Sequence, residues 1–557
     1  MQETLQPVAN ASPTGTTPPS VNPSQDRAVV TDTAADGPSQ PDGGSTDEAP
    51  VAVTEKQRLE ALALLASIFV IAACGLIYEL LIATVSSYLL GSSVTQFSIS
   101  IGVFIGAMGL GSHLSQRIRH NLLGTFILIE IVLGLAGGIS VLLLFYTYAT
   151  GWLYWLALYA TLIFIGALTG LELPLLTRLL KPYGALREVI ARALSFDYVG
   201  ALTGSLLFPL LLLPTLGLTR TAFLIGMVNV GVAAWNAHLL RARLPRAGLL
   251  LAICALSASV LLAGLVFADR AVSIAERGLY DDEIIYAKQT PYQRLVVTRW
   301  REDLRLFIDG NLQFSSVDEY RYHEALIHPA MSLLPRAESV LLLGGGDGLA
   351  VREVAKYRSV KNITLIDIDP AMTQLGQTFP AIAELNGNAL RDPRVRVIND
   401  DAYKFLERNA QLYDVIVADL PDPNNDALAK LYSVEFYKLV KRHLSAQGVF
   451  VTQATSSFFS RETFWCIHES VDAAGLHTLP YHAYVPSFGD WGFVLAAPRK
   501  LDAAQTDVPV PAKFLTRATM KEMFVLPRDI GPVPVDTSTL DRPTVIDYYR
   551  RNNKQWE

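Results

Sequence analysis

Cysteine is nearly absent from the chain: of 557 residues only Cys74, Cys254 and Cys466 are cysteines, far apart and two of them inside apolar runs. Such spacing builds neither a disulfide framework nor a zinc-ligand cluster, and no metal is expected. Excess positive charge is lacking too. The formal net charge is −6 and no basic stripe runs through the charged half, so nucleic acid is not an expected partner. No basic-then-apolar stretch begins at Met1, so no signal peptide is expected. From Met1 to about Val53 long aliphatic and aromatic side chains are scarce among Pro, Ser, Thr, Gly and Asp. Too little apolar surface is available there to offset chain entropy, and residues 1–55 are expected to be a disordered tail.

Beyond this tail the chain turns strongly apolar. Seven apolar runs lie near Leu62 to Thr84, Val94 to Leu114, Leu122 to Tyr146, Leu153 to Leu175, Tyr198 to Leu216, Thr221 to Leu240 and Leu249 to Phe267. A bilayer-spanning helix needs about 20 mostly apolar residues, so residues 56–270 are expected to form an α-helical multi-pass domain of about seven helices in a lipid bilayer, the cell membrane. Glu79, Glu172 and Asp197 fall within or beside these runs. An ionisable group at that depth is a functional candidate, unless it sits near a helix end or pairs with an arginine such as Arg178 or Arg192. The runs "GVFIGAMGLGS" and "GALTGS" suit close helix packing.

After Phe267 charged residues return and strand patterns begin. "RLVVTRW" and "LRLFIDG", the latter leading into Asp309-Gly310-Asn311, read as strands with a hairpin turn, within a small β region over residues 271–335. Over residues 336–500 the strand-like runs "SVLLLGG", "NITLIDI", "VRVIND" and "YDVIVAD" alternate with helical patterns, and "GVFVTQA" and "WGFVLAA" come after them. That order implies a doubly wound, mostly parallel sheet. The extension over residues 501–557 is Pro-rich with one helical patch near Arg517 to Phe524.

In such a sheet ligands bind beyond the carboxyl ends of the strands, and here those ends are acidic. Gly344, Gly345, Gly346, Asp347 and Gly348 close one strand; Asp367 and Asp369, Asp400 and Asp401, and Asp419 and Asp422 close three others. The glycines let a ligand approach the backbone, but Asp347 would repel a pyrophosphate. Asp367 is placed to accept from ribose hydroxyls, and Asp401 from an adenine amino group. Helix capping is the alternative for each acid taken singly.

The series "TPYQ", "LFIDGNLQFSSVDEYRYHEALIHPA", "GGGDG", "LIDID", "NDDAYKFL", "YDVIVADLPDP", "LYSVEFY" and "WGF", spanning about Tyr292 to Phe493, resembles the spermidine synthase, or polyamine aminopropyltransferase, family. The N-terminal half looks like the membrane extension of some bacterial members. The resemblance implies a Rossmann-like fold of the S-adenosylmethionine-methyltransferase type, no permanently bound cofactor, and decarboxylated S-adenosylmethionine as co-substrate with putrescine or a related amine. It implies Asp419 as general base, Asp347 and Asp422 as carboxylates holding ammonium groups, and His323 with Tyr292 as parts of a polyamine tunnel. Gln293, Asp367 and Asp401 with Ala402 are the implied nucleoside contacts, beside Gly344 and Gly346 of the loop. The sequence departs from the family in having Asp367 where Glu is common, Asn424-Asn425-Asp426 where Gly-Pro is usual, and Phe488 where Tyr is common; the last two bear on the acceptor amine.

Two other readings stay open on sequence alone: an S-adenosylmethionine-dependent methyltransferase, which Asp347 disfavours, and a membrane transporter or sensor with a non-catalytic nucleoside-binding domain. Whether the chain forms a homo-oligomer is also open. Arg117 and Arg119, Arg178 to Arg192, and Arg241, Arg243 and Arg246 lie in alternate loops, which the positive-inside tendency places in the cytoplasm. Seven spans then put the C-terminal half outside, whereas supply of a nucleoside co-substrate argues for the cytosol, so the side is left open.

Overall fold

The computed structural model describes residues 54–90, 93–151, 153–268, 270, 280, 282–502 and 507–554. Residues 1–53 of the tail expected over 1–55 lie outside the described residues, and Glu55 already begins a helix. The N-terminal half is helical: α1 (Glu55–Leu90), α2 (Ser93–Leu114), α3 (Leu122–Ala149), α4 (Tyr154–Leu180), α5 (Leu186–Leu207), α6 (Leu213–Leu239) and α7 (Ala247–Val266). Among the described residues, taken as continuous stretches, six helices are long and apolar enough to cross a membrane, not seven, because α5 runs through a π-helical turn into α6 as one stretch of 54 residues. A straight helix of that length would measure about 80 Å, more than twice the thickness of a hydrocarbon core. Gly217, at φ 71° and ψ −177°, interrupts it between the fifth and sixth expected runs. The chain reverses there: Gly200 and Gly204 of α5 pass Phe69 and Ala73 of α1 in ascending order, whereas Asn236 near the end of α6 returns to Ser67.

Close packing at "GALTGS" is real, since a Cβ on Gly200 would come within 2.2 Å of the Phe69 carbonyl oxygen. In "GVFIGAMGLGS" only Gly111 makes such an approach, to Ala167; Gly102, Gly106 and Gly109 face open space. The arginines offered as partners for the buried acids are engaged elsewhere. Arg178 donates to the carbonyls of Ser115 (2.8 Å) and Ile118 (2.9 Å), and Arg192 pairs with Glu188. With the Arg243–Glu60 pair at 2.6 Å, these bonds draw the basic loops together at one end of the bundle.

The remaining half begins with an antiparallel sheet of β1 (Glu283–Gln289), β2 (Arg294–Trp300), β3 (Asp303–Ile308) and β4 (Asn311–Ser315). Its last hairpin turns at Asp309 (φ 49°) and Gly310 (φ 80°), the two left-handed residues that a tight hairpin turn requires. A seven-stranded sheet comes next: β5 (Ser339–Gly344), β6 (Asn362–Asp367), β7 (Val395–Asn399), β8 (Tyr413–Asp419), β9 (Leu444–Ser456), β10 (His477–Val485) and β11 (Gly489–Ala497), in the order β10-β11-β9-β8-β5-β6-β7. Strands β9, β8, β5, β6 and β7 are parallel, and β10 and β11 form an antiparallel margin.

Helices on both faces bury the central strands completely, which is why Val340–Leu343 and Val415–Ala418 are continuous apolar runs. From β5 the chain moves one way to β6 and β7, then returns to β8 on β5's other side. The crevice therefore opens at the carboxyl ends of β5 and β8. The Pro-rich extension folds back onto this domain. Glu324 accepts from the backbone amides of Lys513, Phe514 and Leu515, and a helix not foreseen from sequence, Thr544–Asn553, buries Val545 and Ile546 in the core.

Candidate active site

At that crevice lies a cavity of about 660 Å³. Every residue given a substrate, nucleoside or catalytic role by the resemblance lines it, namely Tyr292, Gln293, His323, Gly344, Gly346, Asp347, Asp367, Asp401, Ala402, Asp419 and Asp422, whereas Asp369 and Asp400, also named at strand ends, do not. The glycine loop fits because it has no side chains. Gly344 (φ 83°) and Gly345 (φ 71°) adopt left-handed backbone, and a Cβ on Gly344 would fall 1.9 Å from the Asp419 carbonyl oxygen. A Cβ on Gly346 would fall 2.5 Å from Asp367 Oδ2, so the loop is wedged between the ends of β6 and β8.

The acids divide by what already holds them. Asp367 accepts from the Gly346 amide (3.0 Å) and the Asp369 amide (2.9 Å), yet burial outweighs these bonds and pushes its carboxyl up to about 7. Asp401 behaves as the capping alternative anticipates. Its Oδ1 accepts from the Tyr403 and Lys404 amides at the start of a helix, and its Oδ2 pairs with Lys430. Burial raises its pKa, but Lys430 and the amides win and hold it below the usual range. Asp369 likewise caps a helix.

Three other carboxyls, those of Asp347, Asp419 and Asp422, have one or two hydrogen-bond partners each. Asp347 Oδ1 accepts from the Leu349 amide (2.8 Å); burial, with Asp419 adding to it, raises its pKa to about 6 against the pull of His323. Asp419 Oδ1 accepts from the Tyr322 hydroxyl at 2.8 Å, and burial raises its pKa as well. Asp422 accepts from Tyr549 (3.1 Å) and, at 3.4 Å, from Gln453, and burial raises it to about 6.

His323 stands apart from these. It is 3 % exposed, and its Nδ1 is 2.8 Å from Glu319, which in turn takes a two-pronged bond from Arg352 (2.8 and 2.9 Å). Burial lowers its pKa, but Glu319 more than reverses this and holds it near 9. At neutral pH the ring is an imidazolium that offsets part of the charge of Asp347 and Asp419.

Phe488 and Trp491, ring centroids 5.0 Å apart, line the cavity edge-on to Tyr322, while Tyr292 stands half in solvent. Asn424 and Asn425 also line the cavity, and Asn425 caps the short helix after it. The sequence reading named Tyr322 only as part of a motif and missed Gln453, Lys430 and Tyr549. For Tyr549 the one available signal is the apolar-polar periodicity of "TVIDYYRRNN". Asp318, quoted in the same motif, binds the Ser487 amide and hydroxyl and so fastens the loop carrying Phe488.

A doubly wound α/β domain with an acidic crevice at its switch point defines a class of protein that takes a cationic small molecule. Comparison with known proteins makes this specific. Residues 319–507 match the spermine/spermidine synthase domain. The chain is 44 % identical over 489 residues to the polyamine aminopropyltransferase of Leptospira interrogans, covering 88 % of this chain and 98 % of that protein. It is 46 % identical over 497 residues to polyamine aminopropyltransferase 2 of Ralstonia nicotianae, with the same two coverages. Spermidine synthase from Thermotoga maritima aligns over 44 % of this chain and 85 % of its own, with 25 % identity and a TM-score of 0.41. The chain belongs to the polyamine aminopropyltransferase family and is a transferase of that kind. The methyltransferase and sensor readings are set aside.

Proposed function

We propose that the enzyme transfers the aminopropyl group of decarboxylated S-adenosylmethionine to putrescine, yielding spermidine and methylthioadenosine, and that its helical half is a multi-pass domain of the cell membrane. The observation that carries the first part is the convergence of Asp347, Asp419 and Asp422 on one cavity beside Asp367. A sulfonium, an aminopropyl ammonium and a diamine bring several positive charges, and buried carboxylates with few internal partners are the groups that receive them. Asp367 accepts from the ribose hydroxyls, with Gln293, Ala402 and the glycine loop around the nucleoside. Asp401, spent on its cap and Lys430, fixes the shape of the adenine end. Asp347 holds the aminopropyl ammonium and Asp422 an ammonium of the acceptor.

The acceptor must lose a proton before it can attack. Asp419 takes that proton; the freed lone pair attacks the methylene beside sulfur, the carbon–sulfur bond breaks, and its electron pair leaves the sulfur neutral in methylthioadenosine. The full-length chain in detergent, given both substrates, is expected to release methylthioadenosine and spermidine together. Binding of the nucleoside with no methylthioadenosine from any of a panel of amines would overturn the reading. A preference for another amine would place the acceptor difference at Asn424, Asn425 and Phe488.

Tyr549 comes from the C-terminal helix yet holds Asp422, so removing its hydroxyl tests the acceptor side alone. Tyr549→Phe leaves Asp422 with the long 3.4 Å bond from Gln453. Losing a bond to a charged group worth about 1 kcal/mol or more should raise KM for the amine roughly fivefold with kcat little changed. Steady-state rates with the amine varied at saturating nucleoside check this; equal loss in kcat would place Tyr549 in the reacting geometry instead.

A further inference from the structure

Outside the cavity, the least satisfied polar groups lie within the helical bundle. A Cβ on Gly75 of α1 would come within 2.8 Å of Thr169 on α4, and one on Gly134 of α3 within 2.7 Å of the Gly226 carbonyl and 3.5 Å of Asn229 Cβ on α6. Glu172 is three residues beyond Thr169, and Glu130 four before Gly134. Residues three or four apart share a helix face, so α1, α3, α4 and α6 bring both glutamates to one level. The two carboxyl groups lie within hydrogen-bonding reach of each other, Glu130 wholly buried and Glu172 2 % exposed. Glu130 is eight residues from the start of α3 (130 − 122) and Glu172 eight from the end of α4 (180 − 172), about 12 Å inside the basic end of the bundle.

We propose that this level of the bundle is a binding site for one monovalent cation, held between the carboxyl groups of Glu130 and Glu172. The proposal goes beyond aminopropyl transfer and uses none of its residues. Beyond what the two carboxyls offer each other, both oxygens of Glu130 and Oε1 of Glu172 have no hydrogen-bond partner, nor do the Thr169 hydroxyl and both amide atoms of Asn229, nor the Tyr78 hydroxyl further along at the level of Gly137. Tyr78 and Asn229 are themselves fully buried, so neither water at the surface nor a neighbouring helix satisfies them.

Two facing carboxylates in an apolar bundle repel each other unless a positive charge lies between them. The titratable groups facing the pair are Cys74 and Tyr78 of α1 and Asp197 of α5, none of which supplies that charge. The nearby arginines are bonded elsewhere, Arg178 to carbonyls, Arg192 to Glu188 and Arg243 to Glu60. Carboxylate, hydroxyl and amide oxygens are the donors that a hard cation takes. Alkali ions and a small alkylammonium share this chemistry, and the test separates them.

The full-length chain in lipid nanodiscs is treated with a hydrophobic carbodiimide, which attacks protonated carboxyls in apolar surroundings, and the modified residue is located by peptide mass spectrometry. Labelling at Glu130 or Glu172 is expected at pH 5, to fall as pH rises, and at intermediate pH to be suppressed by one of Na⁺, K⁺ or methylammonium at ionic strength held constant with choline. The thermal midpoint should rise by a few degrees in the same cation. Suppression by pH alone, with no effect of any cation, is ordinary carboxyl titration and would overturn the proposal. Glu130→Gln and Glu172→Gln should abolish both responses. No labelling at pH 5, labelling and melting indifferent to pH and to every cation, or variants that keep the wild-type responses would each overturn the proposal. The wild-type measurements decide it even if a variant fails to fold, and release of methylthioadenosine by the same preparation reports separately on the α/β half.

Discussion

Asp419→Asn is expected to lower turnover by about 10² or more while nucleoside affinity stays nearly unchanged. Asp419 closes β8, and its backbone pairs in register with Gly344 at the root of the glycine loop, so the carboxyl cannot drift from the nucleoside side of the cavity. Tyr322 anchors one oxygen at 2.8 Å, leaving the other for a proton from the incoming amine. Burial raises its pKa, opposed by His323 and Tyr322, which makes it a better proton acceptor than a surface aspartate. The base form exists only above that raised pKa, so the wild-type rate should climb with pH through it and then level. Asparagine is nearly the same size and still accepts from Tyr322, but it takes no proton. Single-turnover rates and nucleoside titration on both proteins check this; unchanged turnover would remove Asp419 from the role of base.

Much of the α/β half was legible because a strand covered on both faces leaves a continuous apolar run, and β5, β6 and β8 each end in Gly or Asp where that cover stops. The convergence of Asp347, Asp367, Asp401, Asp419 and Asp422 came from the parallel topology alone, since such a sheet sends every carboxyl end to one edge. Whether an acid there faces a ligand or caps a helix was not legible. Asp401 and Asp347 both precede helices, and only the position of Lys430 and of the nearby amides separates them. Partners distant along the chain were also hidden: Tyr322 lies 97 residues from Asp419, and Tyr549 lies 127 from Asp422. In the bundle, Glu172 was singled out but its neighbour Glu130 was not. One acid in "FILIEIVLG" reveals nothing of the helix it will face.

Asp347→Asn should weaken decarboxylated S-adenosylmethionine by roughly 2 kcal/mol, about thirtyfold, and narrow the preference for it over S-adenosylmethionine. The decarboxylated molecule ends in a bare ammonium, whereas S-adenosylmethionine carries a carboxylate beside its amine. Two carboxylates about 4 Å apart repel by on the order of 4 kcal/mol at an effective dielectric of 20, so in the proposed role Asp347 would select against the commoner compound. Its pKa near 6, raised by burial, leaves it mostly ionised at neutral pH, and an ammonium beside it favours the ionised form further. Asparagine isolates this electrostatic role, because its side-chain oxygen can still accept from the Leu349 amide that Asp347 caps at 2.8 Å. Folding is therefore preserved, while the ammonium loses its charged partner and the carboxylate of S-adenosylmethionine loses its opponent. Titrating both compounds against the wild type and Asp347→Asn gives the affinity ratio directly. A fall in that ratio, from weaker binding of one compound and stronger binding of the other, is the expected result; an unaltered ratio would reduce Asp347 to a helix cap.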